Sequence, residues 1–264
     1  MLLVVDVGNT NTVVGLYDGD DLADHWRLAT DNYRTSDELR VFFTMLLQQA
    51  GYDPAAVTGC CMSSVVPQLN AAIVRVIQKG FGIEPIIVEP GIRTGLKLQN
   101  ENPKEIGADR IVNAVAAVEE YEGEKIIIDF GTATTFSYIT AQAEYKGGII
   151  LPGIQLSANA LFEHCAKLPR VEISVPDTVI GRDTVSNIRS GLTYGYAEMV
   201  QGLVRRIGEE AGTTPKVIAT GGLSSIIADV TSSIDVHDPL LTMKGLKLIY
   251  HKNEPVSTLW EGSS

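Results

Sequence analysis

Two segments of this chain combine residue types and spacing that suit phosphate chemistry. Residues 2–18 read LLVVDVGNTNTVVGLYD, and residues 125–140 read KIIIDFGTATTFSYIT. In each, an apolar run ends on an Asp, one apolar residue and a Gly follow, small residues lead to a Thr, and a second apolar run begins. Asp6 aligns with Asp129, Gly8 with Gly131 and Thr12 with Thr135. Backbone amides and hydroxyls packed into such a turn can cradle phosphate oxygens, and a carboxylate at a strand end can hold a metal ion or a water. A plain hairpin capped by Asp and Gly would account for one copy. Its recurrence argues for a duplicated binding element.

The pattern around these segments shows what must position them. β-Branched runs flanking a small-residue centre predict a strand, a tight turn and a returning strand in both places. Residues 36–50 put Leu39, Phe42, Phe43, Leu46 and Leu47 on one helical face, with a capping box from Thr35 to Glu38 and Gly51 as the stop. Further helices are expected over 68–79, ending at Gly80, over 108–120 behind Gly107, and over about 186–211, with Ile188, Leu192, Met199, Leu203 and Ile207 inside and Gly212 behind. Residues 83–89, 216–222 and 234–239 read as strands. The order is that of an α/β fold with two similar lobes.

Composition narrows the function. The 264 residues carry 21 Lys and Arg against 32 Asp and Glu, a formal charge of −11 that argues against nucleic-acid binding. Any polyanion must be held by local amides and cations. Three cysteines (Cys60, Cys61 and Cys165) without a CxxC pair suggest neither a disulfide framework nor a zinc site. The apolar start stops at Asp6 with no basic leader, and the uncharged stretch 54–74 is broken by Pro54, Gly59 and Pro67, so no membrane segment is expected. A cytoplasmic protein fits. No Gly-Lys pair occurs, which removes the P-loop, and no GxGxxG follows a strand. His25, His164, His237 and His251 share no motif and are expected to be surface or satisfied residues.

Two Asp-Gly hairpins in duplicated lobes, with a late strand ending in Thr-Gly-Gly, resemble the acetate kinase, sugar kinase, Hsp70 and actin superfamily. Within it, the collinear strings DVGNTNT (6–12), ENPKEIGADR (101–110), DFGTATTF (129–136), GGIILPG (147–153), IGRDT (180–184), ATGGL (219–223) and DPLLTMKGL (238–246) resemble the type III pantothenate kinase family. The resemblance spans about residues 1–253. It implies two ribonuclease H-like lobes with a nucleotide cleft between them, an N-terminal lobe over 1–115 and a C-terminal lobe over 116–253. The last helix is expected to pack back on the first lobe, and 254–264 to form a frayed tail.

The resemblance also implies an activity, transfer of the γ-phosphoryl group of ATP to pantothenate, and a set of roles. Asp109 would accept the proton of the substrate hydroxyl, although a carboxylate in a helix first turn is favoured by the helix dipole whatever its chemistry. Gly107, Ala108, Asp109 and Arg110 would bind pantothenate, with Arg110 pairing its carboxylate. Thr184 would reach pantothenate from the partner subunit of a homodimer. Gly191, Gly195 and Gly202 then serve either a subunit contact or tight packing within the chain. ATP would be held by Asp6, Val7, Gly8, Asn9, Thr10, Asn11, Thr12 and Val13, by Thr132, and by Gly221 and Gly222 beneath the adenine. Asp129 would bind K⁺ or NH₄⁺, and Asp6 would assist Mg²⁺ or another divalent cation. Some family members carry a Tyr where Asn100 stands, so a role for Asn100 in binding pantothenate is in question. A non-catalytic regulator is the alternative from another class, and a different small-molecule kinase is a third. Retention of both Asp hairpins and of GADR argues against the regulator.

Overall fold

In the computed structural model, which describes residues 1–99 and 101–254, the chain divides into two compact units. One comprises Met1–Thr94 together with the described residues from Met243, and the other is Gly95–Thr242. Asn100 and residues 255–264, nearly all of the stretch expected to fray, lie outside the described residues.

In the first unit the apolar run forms β1 (Leu2–Val7), which turns back as β2 (Asn11–Asp18) and continues as β3 (Asp21–Ala29). β-Branched residues favour this pleated, half-buried arrangement. Helix α1 (Ser36–Gln49) starts at the expected capping box, β4 (Gly59–Ser64) pairs parallel to β1, and α2 (Pro67–Phe81) leads to β5 (Ile86–Ile87). The sheet order is β3-β2-β1-β4-β5. Leu39, Phe43 and Leu47 of α1 and Leu69, Ile73, Val76 and Ile77 of α2 bury the core of this unit, each contributing roughly 1.5–3 kcal/mol of apolar burial. Phe42, expected inside, is partly exposed beneath the Arg34 guanidinium, which lies 4.4 Å from its ring centroid. Helix α2 ends at the left-handed Gly82 rather than at Gly80, which stays helical.

The second unit opens with β6 (Lys97–Leu98) and α3 (Ala108–Glu120). The meander β7 (Lys125–Phe130), β8 (Ala133–Ile139) and β9 (Glu144–Pro152) follows, then α4 (Ile154–His164) and the long α5 (Thr184–Ala211). Strand β10 (Lys216–Thr220), α6 (Ser224–Ala228) and β11 (Val236–His237) complete it, and α7 (Leu241–Asn253) begins at its end. The order β11-β10-β7-β8-β9-β6 repeats the first sheet, with β9-β8-β7-β10-β11 standing for β3-β2-β1-β4-β5 and β6 added at the edge. The expected duplication of the α/β lobe is therefore visible strand by strand.

The division lies at 94/95 rather than at 115, because α3 packs on β7 and β8 and carries GADR into the second unit. From Met243 onward α7 lies with the first unit. A Cβ on Gly15 would meet Met243 Sδ, one on Gly59 would overlap the Tyr250 hydroxyl, and Lys247 Nζ sits 3.1 Å from Asp20. Among the described residues no helix is long and apolar enough to cross a membrane.

Candidate active site

The two Asp-Gly hairpins share one burial pattern. Along β1 and along β7 every residue is buried except the fifth, which is Asp6 in one and Asp129 in the other. Each carboxylate thus surfaces at the end of a strand whose other side chains anchor it. The Asp6 Oδ1 accepts a 2.6 Å hydrogen bond from Ser63 Oγ on the adjacent β4.

The hairpins differ by one residue. Gly8 N–H donates to Asn11 O at 3.0 Å, whereas Gly131 N–H donates to Ala133 O at 3.1 Å. Asp6 lies opposite Val13 and Asp129 opposite Thr135, so the residue matching Thr12 in register is Thr134, not Thr135. The residue matching Asn11 is Ala133. The structure also exposes a residue that the sequence did not signal, Thr30 at the end of β3. Its hydroxyl donates to Gly8 O at 2.7 Å, so at the 3.0 Å Thr12–Thr30 contact Thr12 must be the donor. Thr12 is buried and its proton is committed to shaping the loop. Asn9 and Thr10 stand exposed at the tip, flanked by partly exposed Gly8, Asn11 and Val13, while Val7 is core. The groups this loop presents are therefore its amides and the side chains of Asn9, Thr10 and Asn11.

In the second hairpin the position of Thr30 is taken by Gly153. Both pair back to the turn, Thr30 N–H to Thr10 O at 2.9 Å and Gly153 N–H to Thr132 O at 3.0 Å. A Cβ at Gly153 would overlap the carbonyls of Gly131 and Thr132. With no side chain there, the buried Thr134 Oγ1 has no hydrogen-bond partner among the described residues. Gly153 is also the N-cap of α4, so the second turn, with Thr132 exposed, runs into free helix-terminal amides without an acidic residue in the first turn.

Helix α3 presents GADR. Gly107 is its N-cap, and Asp109 lies in the first turn, where its Oδ1 accepts the Arg110 N–H at 2.8 Å. Burial pushes the Asp109 carboxyl above its ordinary value, against the opposing pull of that hydrogen bond and of the Arg110 charge. Arg110 is fixed by β8: its Nε donates to Ser137 Oγ at 3.2 Å and its Nη2 to Phe136 O at 3.1 Å. Ser137 Oγ in turn meets the Tyr145 hydroxyl at 2.8 Å, and the guanidinium lies 5.7 Å from the Tyr145 ring centroid. These bonds use the Nε–Nη2 edge and leave the end-on Nη1–Nη2 edge to take a carboxylate. Gly148, in the string GGIILPG, makes room for this, since a Cβ there would overlap the Arg110 guanidinium and the Phe136 carbonyl.

Gly221 and Gly222 follow β10 as expected. Gly221 has φ +93°, and a Cβ on it would meet Asp129 Oδ1 at 2.5 Å, so this glycine is required by the neighbouring carboxylate as well as by the turn. Ser224 Oγ donates to Gly221 O at 2.6 Å and therefore accepts from His237 Nε2 at 2.8 Å. His237 is a satisfied residue holding this turn. Thr184 opens α5 behind an Asp183 cap and is exposed. Of the expected residues, Gly107 to Arg110, Asp129, Thr132, Thr184, Gly221 and Gly222 all fall in the second unit, and Asp6 to Val13 fall in the first.

No group of three or more His, Cys, Asp or Glu converges among the described residues. Single carboxylates at strand ends suit a cation completed by phosphate oxygens and waters, the usual arrangement for Mg²⁺ with a nucleotide.

Residues 2–206 match the family described as type III pantothenate kinase. A curated type III pantothenate kinase from Geobacillus sp. (strain WCH70) is 51% identical over 253 residues, covering 96% of this chain and 98% of its own length. Among solved structures, one described as a Baf family transcriptional activator from Campylobacter jejuni aligns with a TM-score of 0.61 at 21% identity, covering 95% of this chain and 98% of its own. A 2-dehydro-3-deoxygalactonokinase protein from Sinorhizobium meliloti aligns with a TM-score of 0.59 at 10% identity over the whole of both chains. At those identities the structural matches bear on the fold alone.

Proposed function

The chain belongs to the type III pantothenate kinase family, and from that premise we propose that Asp109 is the proton acceptor and Arg110 the carboxylate clamp of its reaction. The reaction is the ATP-dependent phosphorylation of pantothenate to 4′-phosphopantothenate, the first step of coenzyme A biosynthesis. The observation that carries the residue assignment is the opening of α3, where a carboxyl raised by burial stands beside a guanidinium held by Ser137 and Phe136. Arg110 orients pantothenate by its carboxylate. As the pantothenate hydroxyl oxygen attacks the γ-phosphorus and the bond to the β-phosphate oxygen breaks, the hydroxyl proton passes to Asp109 and ADP departs.

In the first unit the amides of Gly8 to Asn11 are suited to phosphate oxygens; in the second the turn at Thr132 is suited to the same chemistry, and the turn at Gly221 and Gly222 would lie under the adenine. A divalent cation accompanies ATP in this chemistry, and Mg²⁺ near Asp6 and K⁺ or NH₄⁺ at Asp129 would neutralise phosphate charge. The cytoplasm, where ATP is at hand, is the proposed location. ADP release in MgATP and pantothenate should require pantothenate and should fall when K⁺ is replaced by Na⁺. Turnover of equal rate in Na⁺ would remove the monovalent cation, and turnover independent of pantothenate would remove the acceptor.

The proposed homodimer is supported by α5. Among the described residues nothing lies within 4 Å of a Cβ placed on Gly191, Gly195 or Gly202, so packing against the described chain does not call for these glycines. Val179 and Ile180, just before Thr184, are 63% and 82% exposed. Gly195→Leu should strengthen the isolated helix by about 1 kcal/mol yet shift the protein to monomer in light scattering and lower turnover. A dimer unchanged by this substitution would take α5 out of the interface.

A further inference from the structure

We propose that Asn113 is a positioning residue that fixes the Asp129 carboxylate and ties it to the helix bearing Asp109. The inference rests on the reading of Asp129 as a cation-binding group. Asn113 is a buried amide in a stretch of α3, Ile111 to Ala117, that is otherwise apolar and buried throughout. An amide in such a place is costly unless its hydrogen bonds are made. Its Nδ2 donates to Asp129 Oδ2 at 3.2 Å, and its Oδ1 accepts from Thr242 Oγ1 at 2.7 Å.

The direction of this chain is dictated by chemistry. A carboxylate only accepts, so the amide nitrogen must face Asp129 and the amide oxygen must face Thr242, whose hydroxyl must then donate. Thr242 thereby prevents the amide from flipping. It lies in DPLLTMKGL, the string that leads into α7. The other oxygen of Asp129 lies against the Gly221 turn. With one oxygen bonded to Asn113 and the other bounded by Gly221, the carboxylate has one orientation.

The contrast with the first hairpin shows that this is not the default solution. Asp6 is held by Ser63 from the neighbouring parallel strand. The residue in that register beside Asp129 is Thr220, also with a hydroxyl. Asp129 nonetheless takes an amide from α3, four residues after Asp109, a spacing that puts both side chains on one face of the helix. The proton acceptor and the cation-binding carboxylate are thus referred to the same helical turn. Side chains that orient a cation ligand influence affinity for the cation by about 10- to 100-fold.

The test compares the full-length protein with Asn113→Ser, Thr242→Val and Asp129→Asn. The readouts are melting temperature titrated with KCl against NaCl, in the presence and absence of MgATP, and the K⁺ concentration for half-maximal turnover. Asn113→Ser and Thr242→Val are expected to weaken the K⁺-specific rise in melting temperature and to raise the half-maximal K⁺ concentration about 10-fold or more, with KM for pantothenate within about 2-fold of native. If both variants melt earlier but respond to K⁺ as the native chain does, Asn113 is only a satisfied core amide and the proposal fails. If Asp129→Asn itself responds to K⁺ as native, the cation reading of Asp129 is wrong, and the inference falls with it for that separate reason.

Discussion

Asp109→Asn is expected to leave binding of ATP and pantothenate within a few-fold of native and to slow turnover by a factor on the order of 10²–10⁴, the range for loss of a general base. The same substitution should raise the melting temperature rather than lower it. Burial holds the Asp109 carboxyl above its ordinary value, so the folded state binds this proton more tightly than the unfolded chain does. Stability from this group is present at low pH and is lost as pH rises from the unfolded value, near 3.9, through the higher folded value. At neutral pH the ionised carboxylate is a cost to the fold, which a neutral amide of the same shape removes while still accepting the Arg110 N–H. A variant that is more stable and nearly inactive would show that the site holds a destabilising charge for chemistry. Near-native turnover would remove Asp109 from the mechanism. The acid limb of kcat/KM against pH should lie above the ordinary Asp range and vanish in the variant, and a limb at or below that range would contradict the burial effect.

How far the sequence disclosed this site depends on what each residue does locally. Asp6 and Asp129 were legible because a carboxylate ending an apolar run must surface where the strand ends, and both strands bury all else. The capping box at Thr35 and Glu38 was legible because it lies within four residues. Strand β3 was not, since DLADHWRLA turns Asp24 to the same side as Trp26 and Leu28 and so breaks the alternation. Strand β9 was hidden by Gly147 and Gly148, poor strand formers, one of which is small because Arg110 passes beside it. Thr30 and Gly153 occupy equivalent places in the two meanders, but a lone Thr and a lone Gly carry no motif. The one-residue difference between the turns was also invisible, because the Thr-Thr pair at 134 and 135 fits either alignment.

Arg110→Lys should separate substrate orientation from the chemical step. The lysine keeps the charge but cannot bond Ser137 and Phe136 along one edge while offering two parallel N–H groups along another. Losing that fit within a partly buried pair costs on the order of 2–4 kcal/mol, which at about 1.4 kcal/mol per tenfold raises KM for pantothenate roughly 30- to 10³-fold. KM for ATP should stay near native, because no phosphate contact is assigned to Arg110. Gly148→Ala probes the same seat from below, since its methyl group must displace either the guanidinium or the Phe136 carbonyl that fixes it. It should reproduce the rise in pantothenate KM with Arg110 intact, whereas Ser137→Ala, which removes one of the two anchors, should give a smaller rise in the same direction. A Gly148→Ala protein with native pantothenate KM would mean that the observed pose of Arg110 is not the one that binds substrate. An Arg110→Lys protein that loses kcat and keeps KM would instead move Arg110 from binding the ground state to stabilising charge that develops during phosphoryl transfer.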